Sequence, residues 1–478
     1  MKKESNIYQR LWKIAFIVGI VVTAMLYFSY FYEDIPNLYM LPMAYVLSML
    51  MVKGYYTEQN MGIAVTIIET TKFIRFVFLP LLYLFSDSFG RYLGLDMRYD
   101  YHTKAVLLMF YELTAVSFVM LLFLKYKAKE RSNLSVSLDG ITFKPGQTVI
   151  LFSILWFILV LFVGKFREQL LNFEVTEAAG AMVKENSSNN ILNIIFNFGK
   201  IYIYAGLLYF AKSSRDSFGR FTLILIASVL YISSNWTDGE ASISRWGLIV
   251  SSLLSAYALY CYFPQKKKLI LATAPVVMVV ILAAGTLAKM MIWGYDTNDV
   301  NETTSTLFAS NMFDLYFQGV YSVSNGLSTA DMYAGKVGLI NFVSELLYHF
   351  PFATPLLGLN GMWAEYYYKI GIGDVSQICP SLIQSYYYFG TLGSPFFSCL
   401  SVYLALFFTS KLEKERIFTL RLLYVYGIFW LSLYNCINYS IVEAHIWFSV
   451  IGIWVCSLDK KKKLTSSKIN KITPQNIS

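Results

Sequence analysis

Stretches of about twenty mostly apolar residues recur along the whole chain, and each has the length a helix needs to cross a bilayer. Few soluble folds could bury so many. Only 14% of the 478 residues are charged, where a soluble domain carries about 25%. Hydrophobic residues make up 56% and aromatics 17%. These values exclude a soluble enzyme, a disordered chain and a fibrous repeat. The expected fold is all-α: a polytopic transmembrane helix bundle forming a single membrane domain over residues 1–478.

About twelve spans are expected: Leu11–Tyr32, Asn37–Val52, Met61–Ser86, Ala105–Leu124, Thr148–Gly164, Ile191–Ala211, Phe221–Ile232, Trp246–Phe263, Leu269–Trp293, Ser381–Ser410, Leu422–Asn435 and Ile441–Ser457. The first follows Lys2, Lys3 and Arg10 but is too long and aromatic for a cleaved signal peptide, so it reads as a retained anchor. Basic clusters at Lys125 to Arg131, Lys266–Lys268, Lys411 to Arg421 and Lys460–Lys463 place both termini in the cytoplasm. The net charge of +9 is therefore a topology signal and a match to anionic membrane lipids. Nucleic acid is not an expected partner.

Residues 294–380, between spans nine and ten, form a long extracytoplasmic loop rich in Tyr, Phe and Trp. Loops of this length in a compact protein are usually functional. Gly338–His349 and Trp363–Ile370 have helix-like apolar spacing and are expected as short amphipathic helices on the outer membrane surface.

Nucleotide-binding glycine loops, HExxH and a serine elbow are absent from the sequence. The five cysteines are scattered without CxxC spacing, so neither a structural zinc nor a disulfide framework is expected. No metal and no cofactor are expected.

Charged residues supply the site candidates. Glu69, Lys72 and Arg75 fall at i, i+3 and i+6 of span three, close to one helical face. Charges within a membrane are costly and face a protein interior or an aqueous cavity. They form either a self-neutralising cluster or a seat for an anionic head group. Lys289, near the outer end of span nine, is either a second such cation or a snorkelling anchor. Glu112 and Lys200 read as interhelical pairing residues.

Arg245, at the mouth of a span, is the last arginine before Arg416, and its guanidinium fork suits phosphate oxygens. Anchoring beside Trp246 is the alternative. The long loop holds eight acids against Lys336 and Lys369, which makes it a poor phosphate binder. Carboxylates interleaved with aromatics suit sugars instead, with Trp363 and Tyr387 as candidate platforms; an ordinary solvated loop is the other reading. His349 can accept a proton near neutral pH, unless it is a satisfied structural histidine.

The run Gln377-Ile-Cys-Pro380-Ser381-Leu-Ile-Gln384-Ser-Tyr386-Tyr-Tyr-Phe389-Gly390-Thr-Leu-Gly393 resembles the signature of bacterial oligosaccharide repeat-unit polymerases, the O-antigen polymerase (Wzy) family. Ser242-Ile-Ser-Arg245-Trp-Gly247 is similar to a second feature of that family, and the late long loop extends the likeness over most of the chain. The resemblance implies a GT-C-like glycosyltransferase of the bacterial inner membrane, acting at the outer leaflet on lipid-linked O-antigen or capsular glycan. An acceptor hydroxyl would displace polyprenyl diphosphate from the anomeric carbon, without nucleotide sugar or metal. Arg245 matches the family's arginine position and is expected at the diphosphate; Lys289, Lys72 and Arg75 are supporting candidates from the charges read above. His349, then Glu240 and Glu345, are the candidate bases. A flippase and a chain-length regulator are candidate partners. One departure is that the long loop has no arginine; Lys336 supplies charge there without a bidentate fork.

Two other readings share these features. A flippase or other secondary transporter accounts for the spans and the intramembrane charges, although the two halves of the chain are unlike. An O-antigen ligase would use the same donor and a different acceptor.

Overall fold

The structure is a computed structural model. It describes residues 7–29, 36–55, 62–85, 91–92, 95–96, 99–130, 140–164, 190–213, 216–235, 245–266, scattered positions between 269 and 281, 310–350, 361–373 and 378–472. Apart from one two-residue antiparallel pairing of Arg91–Tyr92 with Leu95–Asp96, the longer elements among them are helical.

Among the described residues four helices are long and apolar enough to cross a membrane, with apolar segments Arg10–Phe28, His102–Lys127, Phe396–Lys414 and Tyr439–Leu458. Shorter apolar helices cover Met40–Tyr55, Gln147–Phe162, Ser217–Ser233, Trp246–Tyr262 and Phe418–Ser432. Several carry large apolar side chains on the outside, including Ile14 and Ile17, Leu151 and Phe162, and Leu225 and Leu230. Water would select against such a surface, and the pattern is consistent with a membrane protein.

Two compact units emerge. The first joins Met1–Ser135, Asp299–Ser410 and Gly427–Ile446; the second joins Val136–Asn298, Lys411–Tyr426 and Trp447–Ser478.

In the first unit, α1 (Ile7–Phe28) packs on α2 (Met40–Val52), and α2 packs on α5 (His102–Glu130). Between α2 and α5 in sequence, α3 (Ile63–Phe73) runs through a π-helical stretch, Ile74–Phe78, into α4 (Leu79–Leu84). The wide turn precedes Pro80, which has no N–H to continue the regular ladder. The segment expected as an outer loop contributes α10 (Ser310–Phe317), α11 (Val320–Met332), α12 (Leu339–Leu347) and α13 (Trp363–Ile372). α12 and α13 lie where apolar spacing predicts helices. α11 is new: all but three of its 13 residues are buried, and it packs against α5, α13 and α14 (Ser381–Gly393).

The stretch expected as span ten, Ser381–Ser410, is two helices rather than one: α14, then α15 (Phe396–Lys414). Gly390 stands at φ 61 and ψ −159 inside α14, a conformation open essentially only to glycine. Ser394 and Pro395 complete the break. Most of expected span nine lies outside the described residues.

The second unit contains α6 (Gln147–Phe162), α7 (Asn190–Ser213), α8 (Ser217–Ser233) and α9 (Arg245–Tyr262). Trp156 of α6 stacks on Phe196 of α7 with centroids 5.8 Å apart, and its Nε1 donates to the Phe196 carbonyl at 2.7 Å. Gly199 makes this approach feasible, since a Cβ there would stand 1.8 Å from the indole. α16 (Phe418–Ser432) and α17 (Tyr439–Ile472) each run from one unit's residues into the other's.

Candidate functional site

Buried carboxylates organise the first unit, each held at a junction of helices. Asp314 of α10 caps α11 from outside: its two oxygens accept the N–H groups of Ser322 at 2.8 Å and Tyr321 at 3.0 Å. Tyr83 of α4 and the Ser322 hydroxyl also donate to it. A carboxylate at a helix N-terminus meets unpaired N–H groups and the positive end of the dipole. Gly319 leaves it room, because a Cβ there would stand 2.3 Å from Asp314 Oδ2.

Glu345 of α12 is the second hub and is fully buried. It accepts from Tyr388 and Gln384 of α14, from the Ala364 N–H at the start of α13 (3.1 Å) and from Ser440 of α17 (3.2 Å). Burial pushes its carboxyl above the ordinary range, while the Tyr388 hydroxyl, the Ala364 N–H and Gln384 draw it back. Gln384 also binds Ser440 at 2.9 Å and accepts the Tyr439 N–H at 2.7 Å. Alongside, Asn438 donates to Glu365, which pairs with Lys369 at 2.7 Å. Asn438 caps α17 through Ile441 N–H, 2.9 Å from its Oδ1.

The third junction holds the charges expected in span three. Lys72 and Arg75 are fully buried and already paired: Lys72 with Glu69 at 2.8 Å, and Arg75 with Glu112 of α5 at 2.8 Å. Ser398 of α15 donates to the other oxygen of Glu112. Arg75 Nε donates to the Gln318 carbonyl at 2.9 Å, and the Gln318 side chain accepts the Ser381 N–H at 3.3 Å. Gln318 adopts φ 50, unusual for a residue with a side chain. Among the described residues Arg75 Nη2 and Gln318 Nε2 find no hydrogen-bond partner. Both cations thus enter the site with their charge balanced.

The remaining expected residues are dispersed. Trp363 opens α13, one residue before the N–H that Glu345 accepts. Tyr387 donates to Thr329 of α11 at 2.9 Å. Lys336 is exposed in the turn after α11. His349 follows α12, partly buried, with its ring edge-on to Tyr348 at 4.8 Å. Desolvation lowers its pKa to about 4, so it is neutral at pH 7. Arg245 is the first residue of α9, in the second unit, and its side chain lies outside the described residues, as do Glu240 and Lys289. Among the described residues no cluster of His, Cys, Asp or Glu could hold a metal.

Sequence reasoning missed Gln384, Tyr388, Ser440, Asn438 and Asp314. Gln384 and Tyr388 stand in the run that resembles the polymerase signature, and Asn438 carried a local signal as a helix-capping residue before an apolar run. In comparisons with known proteins the chain matches no family model, no curated protein and no solved structure.

Proposed function

We propose that the chain polymerises lipid-linked oligosaccharide repeat units. In this reading it is a GT-C-like bundle of about twelve spans in a bacterial inner membrane, with both termini cytoplasmic and its active face outward. The observation that carries the proposal is the behaviour of the Pro380–Gly393 run. It folds as a short, broken helix whose Gln384 and Tyr388 grip Glu345 of the long outer segment. The residues that resemble the polymerase signature thus tie the outer segment to α14 and α17.

The reaction forms a bond from an acceptor hydroxyl oxygen to the anomeric carbon and breaks the bond to the diphosphate. The polyprenyl diphosphate leaves with its electron pair, and the hydroxyl proton passes to a base. Charge builds on the leaving diphosphate, so cations must face it. Arg245 is assigned this role, supported by Lys289 and by Lys336 from the outer segment. Lys72 and Arg75 are already neutralised and act at most as hydrogen-bond donors, chiefly through Arg75 Nη2. His349 is the assigned base. With a pKa of about 4 it takes the proton only after the hydroxyl oxygen has begun to bond to carbon and become acidic. Glu345, holding four donors from three helices, serves as a positioning residue.

The test is a glycan ladder. Purified protein with polyprenyl-diphosphate repeat units from its own host should yield products spaced by one repeat unit, and Arg245→Ala should abolish them. A ladder that persists in His349→Ala would remove His349 as base and leave the function standing. Folded protein that makes no ladder from authentic substrate would refute the polymerase. The buried ion pairs also suit a flippase, for which movement of the same lipid across liposomes is the readout.

A further inference from the structure

α12 carries its polarity the wrong way round for a helix in water. Its polar side chains are Asn341, Ser344 and Glu345, and each has a protein partner. Glu345 sits in the hub, Ser344 Oγ donates to the Gly361 carbonyl at 3.4 Å, and Asn341 Oδ1 accepts the Gly338 N–H at 2.8 Å. The side turned outward is apolar: Leu339 is 75% exposed, Ile340 78% and Val343 38%. A helix resting on a membrane surface keeps a polar face for water and an apolar face for lipid. α12 has no polar face left over.

The neighbours of α12 fix its depth. Phe342 holds it against the break between α14 and α15, with its ring centre 5.0 Å from that of Phe389 and 6.0 Å from that of Phe396. Both of those rings are partly exposed, and Leu392, between them in the sequence, is 85% exposed. The Leu392 carbonyl accepts the hydroxyl of Tyr111 on α5 at 2.9 Å. Tyr111 lies about 10 Å of helix further into α5 than the charged Lys104 near its start. It belongs to the apolar stretch His102–Lys127, and Phe396 opens the stretch Phe396–Lys414; both are long enough to cross a bilayer. The apolar side of α12 therefore continues into the outward faces of two candidate spans, where Leu107, Phe118 and Tyr403 are exposed as well.

We infer that α12 is immersed in the hydrocarbon of the membrane, with Leu339, Ile340 and Val343 against lipid acyl chains. The long segment then re-enters the bilayer instead of resting on it. Acyl chains are the occupant, and not a second copy or a soluble partner, because the patch shares its surface with the two spans, and lipid covers those. Apolar side chains lose nothing there, whereas water would penalise each of them. Lys336, exposed shortly before Leu339, marks the head-group level, which a lysine reaches with its long stem along apolar surface. The inference rests on the membrane reading of the chain and deepens it. It places the Glu345 hub one helix width, about 10 Å, behind a wall that faces lipid.

The probe is a nitroxide spin label on full-length protein in phosphatidylcholine nanodiscs. Its collisions are read against oxygen, which concentrates in lipid, and against a nickel chelate, which stays in water. Ile340→Cys is the test site, with Phe118→Cys on the outward face of α5 and Lys336→Cys as references. All three positions are exposed, so the label displaces no packing, and wild type labelled in parallel supplies the background of the native cysteines. Oxygen should outpace the chelate several-fold at Ile340, as at Phe118, while the chelate reaches Lys336. A chelate that meets Ile340 as readily as Lys336, with Phe118 in lipid, overturns the immersion and leaves the membrane protein standing. A chelate that also meets Phe118 refutes the membrane reading itself. Protection of Ile340 from both reagents puts it under protein, a second copy included, and overturns the lipid contact.

Discussion

A carboxylate that accepts four hydrogen bonds in a site closed to solvent is poorly placed to exchange protons with a substrate. Glu345 is such a group, and Glu345→Gln should therefore act mainly on folding. The amide sets an N–H₂ against groups that are themselves donors, at about 1–3 kcal/mol per buried unsatisfied group. The fall in thermal stability of detergent-solubilised protein measures it; an unchanged transition with lost activity would instead make Glu345 a reacting group. His349 gives a pH signature. Its folded pKa of about 4 lies below the ordinary 6.5, so the unfolded state takes up the proton first as pH falls. The stability it contributes is complete above 6.5 and is lost progressively towards 4. His349→Gln should flatten that part of the profile, and an identical slope in the variant would contradict the burial. Glu345 could be picked from the sequence as an acid in an aromatic loop. Its partners could not, because Gln384, Tyr388 and Ser440 stand 39, 43 and 95 residues away.

At the scale of elements, helical periodicity located α12 and α13 well, because both keep one apolar face. It missed α11, whose buried side includes Ser322, Ser324, Asn325 and Thr329, polar residues that give no apolar stripe and are buried by α5, α13 and α14. The break within 381–410 did leave a mark in the sequence, in Gly390, Gly393, Ser394 and Pro395, but the apolar run around it reads as continuous. Gly390→Ala puts a Cβ where the backbone allows essentially only glycine, at about 1–3 kcal/mol. A chemical-denaturation midpoint lowered accordingly is expected; no change would mean the turn relaxes without it. The Arg75–Glu112 pair joins the π-helical stretch to α5. Removing one partner, as in Glu112→Ala, leaves an uncompensated buried charge and should cost about 3–5 kcal/mol. Replacing both by Met should recover much of that loss, a pattern a double-mutant cycle in the same assay reads directly.

For the molecule as a whole, apolar length predicted helices, and helices occupy most of those stretches. Which residues gather at a site depended on contacts between distant segments, which no local pattern encodes. The same ion pair has a consequence for how the protein is made. In the twelve-span reading proposed above, each span must partition into lipid as it leaves the ribosome, and an ionised Lys, Arg or Asp at a helix centre raises the cost by about 2.5–3.5 kcal/mol on the insertion scale. The segment running from α3 through the π stretch carries Glu69, Lys72 and Arg75, and Glu69 is the one acid within it available to offset the two bases. The counter-charge for Arg75 arrives only with α5, 37 residues later. The early segment should therefore wait at the translocon for its partner. A nascent chain cut after α4 should insert it poorly in a glycosylation-mapping reporter, one extended through α5 should insert it well, and Glu112→Ala should cancel the gain. Efficient insertion of the short chain would show that the membrane accepts these charges before they meet.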